Sequence, residues 1–432
     1  MVYFEKGGAK TELSPSDLRE GLYHALDRMG IRNRVLVIPP DITRYHSQSG
    51  RLTELAWEYY GKKMTDVLPA LGTHAPMTSP EIRRMFGSVP ESLFRIHDWR
   101  NDVVTLGEVP GQYLETVSEG RISYGWPAQV NRLLLSGRHD LILSIGQVVP
   151  HEVIGMANYN KNVFVGTGGP EGINKSHFLG AAYGMERIMG RADTPVRKVL
   201  NYASDHFAAD LPIVYVQTVI GRNDEGRLVV RGLFVGDDQE CFLKASELSL
   251  RVNFQMLEKP LDKVVVYLEP EEFKSTWLGN KSIYRTRMAI ADRGELIVLA
   301  PGLKEFGEDG EIDRLIRKYG YRTTPEILQA VSENRELENN LSAAAHLIHG
   351  STEGRFTVTY CPGNIPAEVI ESVNYNYADL NKMIKKYNPQ TLEDGFNTLP
   401  GGEKIYYISN PALGLWSWKE KFTIQDHDTD CG

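Results

Sequence analysis

Cysteine is scarce in this chain: Cys241, Cys361 and Cys431 stand far apart in 432 residues, and none falls in a CxxC pair. That scarcity argues against a disulfide framework and against a structural zinc site. An excess of positive charge is missing too. Against 48 lysines and arginines stand 56 aspartates and glutamates, a net charge of −8. No general attraction to nucleic acid or to an anionic membrane is therefore expected, because counterion release needs a basic face. No apolar run approaches bilayer-spanning length, and the start, Met1-Val2-Tyr3-Phe4-Glu5-Lys6, lacks the apolar stretch of a secretory leader. Residence in the cytoplasm is the expectation.

Several familiar chemistries are absent as well. His151-Glu152-Val153-Ile154-Gly155 opens like a zinc-protease helix, yet glycine stands where the second histidine is needed. Gly166-Thr167-Gly168-Gly169-Pro170-Glu171-Gly172 is glycine-rich, but Glu171 replaces the last glycine of the dinucleotide fingerprint, and Pro170 removes an amide from the turn. Lys175-Ser176 lacks the preceding glycine of a P-loop, and there is no GxSxG elbow.

What is present is an ordinary globular composition, 41% apolar and 24% charged, in a chain long enough for two or three domains. Short apolar runs lead repeatedly into polar loops and then into helical stretches. Arg34 to Pro39 runs into Asp41-Ile42-Thr43-Arg44, Met64 to Leu71 into Gly72-Thr73-His74, Leu93 to Ile96 into His97-Asp98, and Asp140 to Ile145 towards His151. Strands alternating with helices predict an α/β fold with a mainly parallel sheet flanked by helices, and ligands at the carboxyl ends of the strands. Leu211 to Ile220 and Arg227 to Val235 flank Asn223-Asp224-Glu225-Gly226, a hairpin signal. A second series begins near Asp262, with strands at 263–268, 295–299 and 356–360. The expectation is an amino-terminal α/β domain over 1–258, completed by the apolar tail 398–432, and a second α/β domain over 259–397. The active site would lie in the cleft between them.

The polar residues at the strand ends are Arg44, His74, His97, Asp98, His151, Lys161 and His177. Taken singly, each has a plain structural reading as a cap, a core hydrogen-bond partner or a solvated charge. Together they suit the inversion of a carbon that bears a hydroxyl and a carboxylate. Two histidines exchange protons near neutral pH, and an arginine grips a carboxylate through paired hydrogen bonds. The α-hydrogen beside an ionised carboxylate is hardly acidic, so a hydride acceptor is the easier route, through a planar ketone.

The order and spacing of these residues resemble the nickel-dependent lactate racemase family. The matching elements are Asp41-Ile42-Thr43-Arg44, the loop from Gly72 to Thr78 with His74, and His151 followed by Lys161 ten residues later and His177 26 residues later. The resemblance implies that Lys161 carries a nickel-pincer nucleotide, a pyridinium mononucleotide with two thioacid arms, through a thioamide bond. It further implies that His177 ligates the nickel, that His74 and His151 are the paired acid/base groups, that Arg44 anchors the substrate carboxylate, and that Asp41 and Thr43 lie at the cofactor. Enzymes of cofactor biosynthesis would be transient partners, and a small 2-hydroxy acid the substrate. Two departures stand out. Asn158-Tyr159-Asn160-Lys161-Asn162 replaces a Gly-Gly-Arg-Lys-Ser run, and Tyr284-Arg285-Thr286-Arg287 lacks the lysine of a Tyr-Gln-x-x-Lys element, leaving Tyr284, Arg285 and Arg287 as candidate substrate contacts. A larger, more polar acid than lactate, such as an aldonate or a dicarboxylate, is expected. Two other readings remain: a zinc- or other metal-dependent lyase or hydrolase with His74, His97, Asp98 and His151 as ligands, and a non-catalytic sugar-acid binding protein.

Overall fold

Continuous apolar runs become the central strands, as burial on both faces requires of parallel strands. The computed structural model describes residues 1–307 and 309–422. It divides into two units, Met1–Leu179 with Met189–Asn253, and Gly180–Ile188 with the chain from Phe254 onward. The first unit holds a six-stranded sheet of Val2–Gly7 (β1), Val35–Ile38 (β2), Met64–Val67 (β3), Leu141–Gln147 (β4), Ile213–Arg222 (β5) and Leu228–Gly236 (β6). Its order is β1-β6-β5-β4-β2-β3. The β3-β2-β4-β5 part is parallel, whereas β6 pairs antiparallel with both β5 and β1. The hairpin expected at Asn223–Gly226 joins β5 to β6; Asn223 donates its amide to the Arg227 carbonyl at 2.9 Å, and Gly226 takes the left-handed φ of 77° that the turn needs.

The second unit holds Leu261–Tyr267 (β7), Ile290–Ala300 (β8), Thr357–Pro362 (β9), Asn376–Tyr377 (β10), Gly395–Thr398 (β11) and Lys404–Ile408 (β12), in the order β10-β9-β8-β7-β12-β11. All pairings but β11 with β12 are parallel. Both units are thus the expected α/β type, mainly parallel mixed sheets flanked by helices. The tail differs from expectation. Instead of completing the first domain, β12 pairs with β7, and Ile405 and Tyr407 enter the core of Val265, Ile297 and Leu299. Alternate apolar residues of this strand fit that core, so the tail joins the sheet that can bury them. The end of the segment, 423–432, lies outside the described residues. The run Leu93 to Ile96 is no strand either: it makes one bridge, Phe94 to Val67, and Ile96 stays 65% exposed.

Helix Pro15–Arg28 shows how the flanking layer is specified. Ser14 and Asp17 form a reciprocal capping box, and Leu18, Leu22, Ala25 and Leu26 recur on one face that is buried against the first sheet. Each buried leucine contributes about 2 kcal/mol of apolar burial. Helix Ser49–Tyr60 sits so close to its neighbour that a Cβ on Gly50 would stand 2.0 Å from the Met85 carbonyl oxygen. Backbone cannot yield there as a side chain would. Gly50→Ala is expected to destabilise the first unit by about 2 kcal/mol, read as a lower urea midpoint at unchanged slope; an unaltered midpoint would contradict this packing.

Candidate active site

Loops that leave the carboxyl ends of β2, β3 and β4 carry the residues of interest. After β2, Asp41 caps the short turn Ile42–Ser47 in extended conformation, φ −82° and ψ −176°. Its Oδ1 accepts the Thr43 amide at 3.1 Å and the Thr43 hydroxyl as well, while Oδ2 lies 2.6 Å from Nδ1 of His74. Asp41 is buried and His74 is half-exposed. Burial alone would favour the neutral acid, but His74, Thr43 and Arg44 together outweigh it and hold the Asp41 carboxyl below its ordinary pKa. Asp41 and Thr43, expected beside the cofactor, are therefore bonded to each other and, through Asp41, to His74.

The His74 loop is tied to the Lys161 segment by its backbone: Gly72, at a left-handed φ of 56°, donates its amide to the Gly166 carbonyl at 2.8 Å. Lys161 directly precedes a turn of π-helix, Asn162–Gly166, a local distortion that recurs at functional sites. Desolvation chiefly, then the positive charge of Arg44, pulls the Lys161 ammonium down to a pKa of about 8; Arg197 adds to the effect, and Glu152 and Asp41 oppose it. Arg44 and Asp41 are thus within electrostatic reach of the Lys161 amine.

His177 lies on helix Pro170–Tyr183 and donates Nδ1–H to the Ile173 carbonyl at 2.7 Å. Its pKa is lowered by burial foremost and further by the Lys161 charge, so at neutral pH its Nε2 keeps a lone pair. His151 is largely buried, with Nδ1 accepting the Val153 amide at 3.1 Å and the Glu152 carboxylate 3.9 Å away. His151 pairs with Gly155 in a short antiparallel ribbon, so the local geometry is unlike a zinc-protease helix.

His97 and Asp98 do not join this group. His97 is 2% exposed, and both ring nitrogens are spent, Nε2 on the Gly168 carbonyl and Nδ1 on the Asn131 amide, each at 3.0 Å. Asp98 caps its own turn through the Arg100 and Asn101 amides. Among the described residues no group of three or more His, Cys, Asp or Glu is arranged to hold a metal. The ligand set His74, His97, Asp98 and His151 is therefore not assembled. Glycines of the Gly166–Gly172 run serve packing: a Cβ on Gly168 would stand 2.0 Å from the Phe164 carbonyl oxygen.

Comparison with known proteins bears on the same segment. Residues 24–187 match the family model of the lactate racemase N-terminal domain. This segment belongs to that family. Two solved structures share the fold over nearly the whole chain. One is a crystal structure of a protein from Thermotoga maritima, with TM-score 0.78 and 25% identity over 96% of this chain and 100% of that one. The other is the lactate racemase apoprotein from Thermoanaerobacterium thermosaccharolyticum, with TM-score 0.66 and 18% identity over 94% and 90%. No curated protein sequence matches the chain. Asp41, Arg44, His74, His151, Lys161 and His177 all fall inside the segment that matches the lactate racemase domain.

In that light the departure around Lys161 has a structural resolution. Asn158 and Tyr159, which stand where the resemblance places a glycine pair, both adopt left-handed backbone, φ 67° and 58°. The conformation that glycine takes freely is kept here with side chains. Arg197, fully buried on helix Pro195–Phe207, holds it: the guanidinium donates to the Met156 carbonyl at 2.7 Å, to the Asn158 carbonyl and to Oδ1 of Asn160. Tyr159 stacks on Phe242 at 5.1 Å, and Arg197 lies 4.2 Å over the same ring. Sequence reasoning missed Arg197 and Glu152. An arginine in a helix reads as solvated, whereas Glu152 was signalled by its place beside His151.

In the second unit, Tyr284, Arg285 and Arg287 are buried. Arg287 pairs through Nε with Glu186 at 3.0 Å, and Glu186 also takes Arg355 and Lys421, each at 3.1 Å. Burial disfavours the Glu186 anion, but the three cations prevail and hold its pKa at about 2. Arg287, expected to meet substrate, holds this ion pair through Nε. Among the described residues no helix is long and apolar enough to cross a membrane.

With a pKa of about 8, Lys161 should be the lysine most reactive towards acylating reagents at neutral pH. Competitive labelling read by mass spectrometry should give Lys161 a midpoint near pH 8, against about 10.4 for exposed lysines. A midpoint shared with the surface lysines would refute the electrostatic picture of the site.

Proposed function

We propose that this chain is a racemase or C2 epimerase of a 2-hydroxy acid, with an aldonate or another polar acid favoured over lactate. The observation that carries the reading is the buried, ionised Asp41 bonded to His74 in a site that also keeps the Lys161 amine easily deprotonated. A base for a hydroxyl proton and an amine suited to covalent attachment stand within one family-matched segment.

The residues fit the nickel-pincer nucleotide. Lys161 offers the amine for a thioamide bond, and His177 offers a neutral Nε2 whose ring is oriented by the Ile173 carbonyl, as a metal ligand requires. Nickel with sulfur and imidazole donors is chemically consistent, and one protein ligand needs no cluster of His, Cys or carboxylates. When bound, the cofactor supplies the hydride acceptor.

The remaining work belongs to the chain. Nδ1 of His74 is committed to Asp41, so its Nε2 takes the substrate hydroxyl proton, and the imidazolium that results is stabilised by the Asp41 carboxylate. Arg44 is exposed at the same loop and can grip the substrate carboxylate with a planar fork while the ketone presents its other face. His151 serves that other face. Tyr284 and Arg285 remain candidate contacts for the polar end of the substrate. The reading as a metal-dependent lyase loses its ligand set, since His97 is bonded at both nitrogens.

Produced together with cofactor-biosynthesis enzymes, the chain should carry nickel and a covalent mass increase on Lys161, and should invert a member of a panel of 2-hydroxy acids and aldonates followed by chiral chromatography. Substituting His74 or His151 by alanine is expected to lower turnover by about 10³-fold with the Lys161 adduct retained. Full activity in either variant would remove that histidine from the mechanism. Zinc in place of nickel, with an unmodified Lys161, would overturn the proposal.

A further inference from the structure

The two histidines assigned to proton transfer are held in opposite ways. A carboxylate only accepts hydrogen bonds, so the 2.6 Å contact with Asp41 Oδ2 requires the proton on Nδ1 of His74, and in the neutral ring the lone pair is then on Nε2. A backbone amide only donates, so the 3.1 Å contact from the Val153 N–H requires the lone pair on Nδ1 of His151, and the neutral ring then carries its proton on Nε2. In that tautomer Nε2 of His151 cannot take a proton from a hydroxyl. Nor can it give one up, since loss of that proton would leave an imidazolate.

His151 becomes an acid, and afterwards a base at Nε2, once Nδ1 has gained a proton. That proton would oppose the Val153 N–H and needs an acceptor instead. The Glu152 carboxylate, 19% exposed and 3.9 Å from Nδ1, is placed to be that acceptor after a small turn of the ring. Glu152 also faces Lys161 and His177, whose protonation it favours electrostatically.

We propose that Asp41 and Glu152 are the positioning residues of the two histidines and that they act unequally. Asp41 keeps the proton on Nδ1 of His74, so that Nε2 is always the atom that takes or returns one, whereas His151 becomes competent only when Nδ1 passes from the Val153 amide to the Glu152 carboxylate. Protons balance in each turnover: His74 gains the hydroxyl proton of one enantiomer, and His151, protonated on both nitrogens with Nδ1–H on Glu152, returns one from Nε2 to the oxygen of the other. The next turnover in the same direction needs the proton passed back from His74 to His151 through solvent. This inference rests on the racemase reading.

The test reads the rings directly. In the full chain labelled with nitrogen-15 and free of cofactor, long-range proton–nitrogen correlation spectra report which ring nitrogen is protonated, with His74→Gln and His151→Gln used for assignment. The expected pattern is protonated Nδ1 in His74 and protonated Nε2 in His151. Asp41→Asn should abolish the preference of His74 and leave His151 unchanged. In the loaded enzyme Glu152→Gln should lower kcat by about 10²-fold with little change in KM, while the His151 resting tautomer persists.

Equal tautomers in the two histidines, or unimpaired kcat in Glu152→Gln, would overturn the inference while turnover by the native chain left the racemase reading standing. The opposite tautomers in a loaded chain that inverts no hydroxy acid would overturn the racemase reading, and this inference with it.

Discussion

The grip of Arg197 on the carbonyl oxygens of Met156 and Asn158 is the constraint on which the placement of Lys161 depends. Left-handed backbone costs a non-glycine residue about 1–2 kcal/mol, and Asn158 and Tyr159 incur that cost consecutively. Hydrogen bonds to a charged donor contribute about 1.5–3 kcal/mol each, so the several that Arg197 makes are of the right size to offset it. Stacking of Tyr159 on Phe242 fixes the second residue from its other side. Burial lowers the Arg197 pKa to about 9, which still leaves a cation at neutral pH. A glycine pair would reach the same backbone without such support. This chain reaches it with side chains, and so acquires a rigid loop and a positive charge close behind the lysine.

That charge shapes the rest of the site. Desolvation, Arg44 and Arg197 all press Lys161 towards the neutral amine, and the neutral amine is the nucleophilic form. Lys161 in turn presses His177 towards the neutral imidazole, the form that can ligate a metal. Opposing them are Asp41 and Glu152, each lying beside one of the two histidines that would carry protons. The same carboxylates thus favour the Lys161 ammonium and would support an imidazolium when one forms. Such double use needs the groups close together in a site of restricted polarity, where unscreened charges act across several residues at once.

Much of the architecture was legible in the sequence because parallel strands buried on both faces read as unbroken apolar runs. Val35–Ile38 and Leu141–Gln147 carry that signature along nearly their whole length. The ribbon of Val103–Val109 with Trp126–Asn131 was not legible, since Val103–Val109 is half-exposed and its alternation is broken by a register shift after Thr105. The destination of the tail was hidden for a different reason: Ile405 and Tyr407 announce burial but not which sheet buries them. Spacing and residue type marked Asp41, His74, His151, Lys161 and His177 as candidates. They could not mark Arg197, whose meaning arises from a backbone conformation that asparagine and tyrosine conceal. His97 shows the converse error, a histidine at a strand end whose two nitrogens belong to the Gly168 carbonyl and Asn131.

His97 nonetheless matters to the geometry. Its bond to the Gly168 carbonyl and the Gly72 bond to the Gly166 carbonyl meet the same turn that follows Lys161. The His74 loop and the lysine segment are therefore joined main chain to main chain, and the His97 loop is braced against the same turn by its imidazole. On the proposed function, a histidine and an attachment lysine held in fixed relation would gain from the Gly72–Gly166 bond, because it links their two segments through the main chain. The freedom that remains is local, in the ring of His151, whose bond to the amide two residues along the chain is one that a small rotation can break.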